Sequence, residues 1–460
     1  MAATFYFDLD KMRWFALRIG VIGTGYVGLV YGAVMADFGH YVTCMDKDEQ
    51  KIGQLKLGNS TIYEPGLPPI LQYGLSTGNL YFTTSLEECV KYSDMIVIAI
   101  GTPTGPDGNA DVSDVMTVAE EIGTFMLDNK LVVCKSTVPI GTSRKMLEII
   151  EQQLQARNVG YQIEVACNPE FLRQGKAVED CLSPSRVIIG TETQHAREVL
   201  QDIYRMYDQE KIPFLYTGYE TAELIKYASN SFLAVKISFV NELAWLSETA
   251  GANIQDVVMG MGLDARISPT FLEAGAGYGG SCFPKDTRAL VETGAKYNAQ
   301  LHIVEAAIAA NETQKTRMVQ KIIDTLSSHH DLSCLTIGVL GLSFKPETDD
   351  IRSAPSYDII KGLLDQGLTV KVYCPEGMRQ AKLTWTEINE RIFYCDSEAE
   401  CADQADALVL ITEWGQFRNL EWTKILATMH NNYLFDLRNM FTRENSVTEL
   451  FHYYAVGVGV

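Results

Sequence analysis

Four glycines in six residues, Gly275-Ala276-Gly277-Tyr278-Gly279-Gly280, lead directly into Ser281-Cys282-Phe283-Pro284-Lys285-Asp286. So glycine-dense a segment is a poor helix and a poor strand, and what glycine permits is close approach of backbone to a ligand. A thiol, an ammonium and a carboxylate follow at once. A neighbouring cation makes thiolate available, so this is a composition for nucleophilic catalysis. The same residues also suit a turn around a buried, inert cysteine. The segment alone leaves both readings open.

A second candidate pair lies upstream. Thr221 to Thr249 is helix-periodic and free of glycine and proline, which predicts one long helix. Lys226 and Asn230 are four residues apart and share a face. Their neighbours Leu224, Ile225, Phe232 and Leu233 have core character. The two polar side chains either snorkel to solvent or point into a pocket, and on pattern alone snorkelling is the simpler reading.

These groups need a scaffold. Leu17 to Ile22 reads as a strand, followed by Gly23-Thr24-Gly25-Tyr26-Val27-Gly28, a helical pattern through Phe38, a stop at Gly39-His40, and a strand Tyr41 to Met45 ending in Asp46. Strand, GxGxxG, helix, strand and acid in that order is a dinucleotide-binding unit. Gly23 makes the tight turn, Gly25 admits a pyrophosphate, and Gly28 lets helix pack on strand. Asp46 suits the ribose hydroxyls and would repel a 2′-phosphate, which favours NAD over NADP. Three more buried strand patterns end in polar groups at the edge where such sheets bind ligands. Asp94 to Ile100 ends at Gly101-Thr102-Pro103-Thr104, Leu131 to Cys134 at Lys135-Ser136-Thr137, and Ile163 to Cys167 at Asn168-Pro169-Glu170-Phe171-Leu172. After the long helix and further helix to about Leu326, a second α/β unit opens at Leu335 to Leu340. A helix from about Ser356 and strands at Thr369 to Tyr373, Ala407 to Ile411 and Tyr433 to Asp436 continue it, with Lys345 and Arg438 near strand ends and suited to an anion. The fold class is therefore α/β, two Rossmann-like doubly wound domains joined by a long central helix.

Composition narrows the partners. With 460 residues and a net charge of -20, the chain is large enough for several domains and ill suited to nucleic acid or anionic membrane. Ten scattered cysteines without CxxC or zinc spacing read as reduced thiols in a cytoplasm, with no metal site. His329 and His330 read as solvated in a polar loop. No apolar run is long enough to span a bilayer, and the segment through Ala16 lacks the plan of a signal peptide, reading as an extension ahead of the first strand.

Tyr63-Glu64-Pro65-Gly66-Leu67, Lys135-Ser136-Thr137-Val138-Pro139, Asn168-Pro169-Glu170-Phe171-Leu172, Gly279-Gly280-Ser281-Cys282-Phe283-Pro284-Lys285-Asp286 and Phe344-Lys345-Pro346 together resemble the nucleotide-sugar dehydrogenases, the UDP-glucose/GDP-mannose dehydrogenase family. The resemblance runs from about Leu17 to the C-terminus. It implies oxidation of a sugar primary alcohol to a carboxylate with two NAD, UDP-glucose being the favoured substrate and GDP-mannose or a UDP-N-acetylhexosamine the alternatives. A non-catalytic dinucleotide-binding relative is the contrasting reading, and such a protein could keep the glycines while losing the chemistry.

On this resemblance Cys282 would trap the aldehyde as a thiohemiacetal that becomes a thioester. Lys226 and Asn230 would stabilise the oxyanion, Asp286 with Thr137 would position water, and Glu170 would act as acid and base. Gly23, Gly25, Tyr26, Val27, Gly28, Asp46, Lys51, Thr102, Pro103, Ser136, Thr137, Gln174, Lys285 and Arg352 would serve NAD. The sugar site would be lined by Glu170, Phe171, Leu172, Lys226, Asn230, Phe271, Tyr278 and Gly279, with Arg266 arriving from a second subunit of a homodimer or larger homo-oligomer. Phe344, Lys345 and Arg438 would hold the uridine diphosphate. The implied division is an extension over 1–16, an NAD-binding domain over 17–217, a central helical dimerisation domain over 218–331 and a UDP-sugar domain over 332–460. Gln174 stands where the family usually has Glu, and Ser353-Ala354-Pro355 departs from a usual Glu-bearing turn.

Overall fold

Short β-branched runs alternating with amphipathic helices build two sheets. The computed structural model describes residues 16–208, 211–328 and 330–459, so His329 and residues 1–15 of the expected extension lie outside the described residues. The first sheet holds β1 (Arg18–Ile22), β2 (Tyr41–Met45), β3 (Leu80–Thr83), β4 (Met95–Ile98), β5 (Lys130–Cys134), β6 (Ile163–Cys167), β7 (Val187–Gly190) and β8 (Phe214–Thr217), in the order β3-β2-β1-β4-β5-β6-β7-β8. Pairing is parallel from β3 to β6, β7 runs antiparallel to β6, and β8 is parallel to β7. The chain order reverses between β1 and β4, which makes a crevice at their C-terminal ends.

The second sheet holds β9 (Thr336–Leu340), β10 (Thr369–Tyr373), β11 (Ile392–Tyr394), β12 (Ala407–Leu410), β13 (Tyr433–Asp436) and β14 (His452–Ala455). All of its pairs are parallel, in the order β11-β10-β9-β12-β13-β14, with the reversal between β9 and β12. Three helices of function-bearing interest precede it: Tyr219–Ala250, Phe283–Lys296 and His302–Ser327. No helix among the described residues is long and apolar enough to cross a membrane.

The chain divides into two compact units. One runs to Thr102 and resumes over Val112–Glu223; the other takes Pro103–Asp111 and everything from Leu224 onward. The division thus falls inside the first turns of the helix Tyr219–Ala250. Pro103–Asp111 belongs to the second unit, where Ala110 packs with Tyr227, Ala289 and Leu290.

The long helix corrects two expectations. Leu224 and Phe232, which have core character in the sequence, are exposed, whereas Lys226 is 4% and Asn230 6% exposed. Neither polar side chain snorkels. Leu224 and Phe232 stay on the open face of the helix, and the polar pair takes the covered one. His330 also departs from the solvated reading, packing edge-on against Tyr433.

Candidate active site

In the first unit the glycine turn is dictated by contact. Gly23 has φ +101°, and a Cβ there would sit 2.6 Å from the Ala99 carbonyl oxygen; a Cβ on Gly28 would sit 1.9 Å from the Gly23 carbonyl oxygen. In front of Gly25 a Cβ would meet no heavy atom within 4 Å. Gly25 also begins the helix Tyr26–Asp37 without a side-chain cap. An open space before a helix N-terminus is where a phosphate group fits. Tyr26 and Val27 form that first turn.

At the end of β2, Asp46 Oδ2 accepts from the Thr24 N–H at 3.0 Å and the Thr24 hydroxyl at 2.7 Å, and Asp46 Oδ1 accepts from the Asp48 N–H at 3.1 Å. Lys51 Nζ stands 3.9 Å away. Burial alone would raise this carboxyl's pKa, but the Thr24 and Asp48 donors and Lys51 hold it below the ordinary carboxylate value. Asp46 is thus a fixed anion beside the glycine turn, and the NAD fit of this unit is good.

The neighbouring strand ends are tied together. Thr102 donates its hydroxyl to the Thr137 carbonyl at 2.7 Å, and Ser136 donates to the Ile100 carbonyl at 2.8 Å. Glu170 is buried, with Oε2 accepting from the Leu172 N–H at 2.6 Å. The Arg186 guanidinium lies 3.7 Å from the centre of the Phe171 ring. Two supporting groups escaped assignment from sequence. Glu64 accepts from the N–H groups of Gly175 and Ala177, both at 2.8 Å, and so holds the backbone just beyond Gln174. Asn168 Oδ1 accepts from buried Lys135 Nζ at 2.9 Å, while its Nδ2 donates to the Ile188 carbonyl at 2.8 Å. Each pairing joins segments far apart in the chain, which local pattern cannot reveal.

In the second unit Cys282 is the N-cap of the helix Phe283–Lys296, with proline in its first turn. That places its sulfur at the positive end of a helix dipole, where negative charge is favoured. None of the ten cysteines is in a disulfide; eight are buried, Cys334 is exposed and Cys282 is partly exposed. Four residues on, Asp286 is fully buried. Its Oδ2 accepts from Asn230 Nδ2 at 2.6 Å and its Oδ1 from Lys285 Nζ at 2.5 Å. A buried carboxylate costs several kcal/mol unless it is paired and hydrogen-bonded, and these two donors supply both requirements. Lys285, expected against the cofactor, therefore has Asp286 as an immediate partner. Lys226 lies one turn before Asn230 on the same helix.

The glycine loop before Cys282 is clamped by polar side chains from two helices. Asn241 Oδ1 accepts from the Gly275 N–H at 2.8 Å, Gln314 Nε2 donates to the Gly275 carbonyl at 2.8 Å, and Asn311 Oδ1 accepts from the Tyr278 N–H at 2.8 Å. Their sequence signal is faint: polar residues recurring on otherwise apolar helix faces. Gly280 has φ +86°, and a Cβ there would lie 2.9 Å from the Phe344 ring; a Cβ on Gly279 would lie 2.4 Å from the Ser353 carbonyl oxygen. Tyr278 and Phe271 both pack on Phe283, with ring centres 6.1 Å apart in each case. Burial pushes the Tyr278 hydroxyl up to about 12.

The remaining expected residues are engaged within the second unit. Arg352 pairs with buried Asp350, Nε to Oδ1 at 2.8 Å, and its carbonyl accepts from the Gly280 N–H at 2.9 Å. Arg266 is exposed and pairs with Asp264 at 2.6 Å. Lys345 Nζ lies 5.7 Å from the centre of the Phe344 ring, and Arg438 is paired with Glu413. The loop thus gathers Cys282, Asp286, Asn230, Phe344 and Arg438 around one backbone segment, while Arg266 stands apart.

Comparison with known proteins matches three successive stretches of the chain to one family. Residues 17–208 match the NAD binding domain of the UDP-glucose/GDP-mannose dehydrogenase family, 220–313 its central domain and 338–443 its UDP binding domain. The UDP-glucose 6-dehydrogenase of Rhizobium meliloti (strain 1021) is 44% identical over 444 residues, covering 96% of this chain and 99% of that protein. A UDP-glucose dehydrogenase structure from Pyrobaculum islandicum superposes with TM-score 0.86 at 34% identity, covering 97% of this chain and 98% of that one. A UDP-D-ManNAc dehydrogenase structure from Pyrococcus horikoshii gives 0.84 at 27%, covering 96% and 100%. Matching domains in unbroken order, joined to full-length relatives at this identity, mean that the chain belongs to the UDP-glucose/GDP-mannose dehydrogenase family.

Proposed function

We propose that this protein oxidises the C6 primary alcohol of UDP-glucose to the carboxylate. The observation that carries the chemistry is the burial of Lys226 and Asn230 on one helix face, with Asn230 bonded through Asp286 to the helix that Cys282 begins. Buried donors of this kind act where negative charge develops on a reacting oxygen. The glycine turn and Asp46 would hold NAD, which would supply the hydride acceptor for each of the two oxidations. Cys282 adds to the aldehyde carbon, forming a carbon–sulfur bond and an alkoxide that Lys226 and Asn230 stabilise. Loss of hydride leaves a thioester. Water attacks its carbonyl, the carbon–sulfur bond breaks, and the thiolate is restored. Asp286 and Thr137 position the water, and Glu170 carries protons to and from the sugar oxygen.

The other assignments follow the same reading. Phe344, Lys345 and Arg438 hold the uridine diphosphate. Phe171, Leu172, Phe271, Tyr278 and Gly279 line the sugar, with Arg266 supplied by a second copy. Support for a homo-oligomer comes from Leu224, Phe232, Phe239 and Leu246, exposed at roughly heptad spacing along one helix. Ten cysteines outside disulfides support a cytoplasmic location. The 44% identity to a UDP-glucose enzyme, against 27% to a UDP-D-ManNAc enzyme, favours UDP-glucose.

The test is to count NADH per sugar across UDP-glucose, GDP-mannose and UDP-N-acetylhexosamines. UDP-glucose should give two NADH per carboxylate. Cys282→Ala should keep reversible alcohol–aldehyde interconversion and lose carboxylate formation, and Cys282→Ser should accumulate a covalent adduct visible in the intact mass. Normal carboxylate yield from Cys282→Ala would return this cysteine to a structural role.

A further inference from the structure

Arg438 is not held by its own strand alone. β9, β12 and β13 lie side by side and in parallel, with Leu340 opposite Leu410 and Leu410 opposite Asp436. Their C-terminal ends are therefore level, and each releases one charged side chain a few residues later: Lys345, Glu413 and Arg438. Arg438 Nε donates to Glu413 Oε2 at 2.6 Å and Nη2 donates to Oε1 at 2.7 Å. This is the two-pronged arginine–carboxylate geometry, which fixes the plane of the guanidinium as well as its position. On its other side the guanidinium meets the glycine loop: a Cβ on Gly275 would lie 3.0 Å from Arg438 Nη1. Gly275 is itself fixed by Asn241 and Gln314. Among the described residues Nη1 makes no hydrogen bond, and the Arg438 side chain keeps 21% of its surface exposed.

We propose that Glu413 is a positioning residue for nucleotide-sugar binding, locking Arg438 so that Nη1 is presented to the diphosphate. This rests on the reading, given above, that Arg438 holds the uridine diphosphate. The pair is close to neutral as a unit, so Arg438 contributes an oriented donor more than a bare charge. Burial pushes the Glu413 carboxyl up, but Arg438 and then Lys345 hold it below its usual value, which keeps the lock charged at neutral pH.

Charge and geometry make opposite forecasts for Glu413→Gln, which is what makes the idea testable. Removing a negative charge near a diphosphate should tighten binding if Glu413 acts only through its charge. It should weaken binding if Glu413 acts by holding Arg438. The experiment is calorimetric titration of UDP into the full chain, with NAD titration as the control for a folded first unit. We expect Glu413→Gln to raise the UDP Kd about tenfold, a typical loss for one charge-assisted hydrogen bond. KM for the nucleotide sugar should rise with it, kcat should change little, and NAD affinity should be unchanged. Glu413→Asp, which keeps the charge but not the reach of the fork, should fall between, and it decides the matter if Glu413→Gln does not fold. Arg438→Lys, which keeps charge without a fork, should lose UDP affinity as Glu413→Gln does. Unchanged or tighter UDP binding in both Glu413 variants, with weak binding in Arg438→Ala, would overturn the role of Glu413. Normal UDP binding in Arg438→Ala would instead remove the reading of Arg438 beneath it.

Discussion

Lys226 shows how a single residue can be misjudged from pattern and placed by packing. Its sequence neighbours carry the apolar character, yet it is Lys226 that is covered and Leu224 that is exposed. Burying an ammonium is costly unless a task or partner repays it, and on the proposed chemistry the task is the oxyanion. Lys226→Ala should lower kcat by about 10²–10³-fold, the usual cost of one oxyanion donor. Substrate Kd should change little, because the contact matters most in the transition state. A variant with near-normal kcat would make this lysine a packing residue. The place of Asp46, just after β2 and bonded to Thr24 of the glycine turn, was legible from its distance to the glycine fingerprint. Glu413 was not legible, because its partner Arg438 leaves a different strand and only the sheet brings them level.

At the scale of elements, the glycine loop is a rigid part and not a slack one. Asn241, Gln314 and Asn311 reach it from two helices, and Phe344 closes on Gly280. Gly280→Ala meets two obstacles together, a left-handed backbone and a Cβ 2.9 Å from an aromatic ring. The backbone term alone costs about 1–2 kcal/mol. The variant should melt a few degrees lower and lose affinity for UDP while retaining it for NAD. Wild-type UDP affinity in Gly280→Ala would show that the ring can yield. The strands β1, β2, β4, β5, β6, β9, β10, β12 and β13 could be read from sequence, some as continuous apolar runs such as Met95–Ile98 and Ala407–Leu410 and others, such as Thr369–Tyr373, by β-branched alternation. β3, β7, β8, β11 and β14 could not. All are short, and β8, β11 and β14 carry half-exposed residues typical of a sheet margin. The reversal at β7 has no sequence signature at all.

On the scale of the whole molecule, the exposed stripe on the helix Tyr219–Ala250 is the chief unfinished surface. Phe232 and Phe239 are a heptad apart, and a contiguous apolar stripe in a protein of net charge -20 is a candidate contact between copies. Phe232→Glu combined with Phe239→Glu should shift the sedimentation profile towards monomer. Activity should fall with it, because Arg266 is proposed to act in the partner's site. A monomeric wild-type protein with full activity would exclude that role. The distribution of sulfur has a consequence of another kind. Eight of ten thiols are enclosed, so a soluble oxidant or electrophile meets only Cys334 and Cys282 on the folded chain. Folding therefore narrows the redox exposure of the protein to two addresses, and one of them is the residue on which the proposed second oxidation depends.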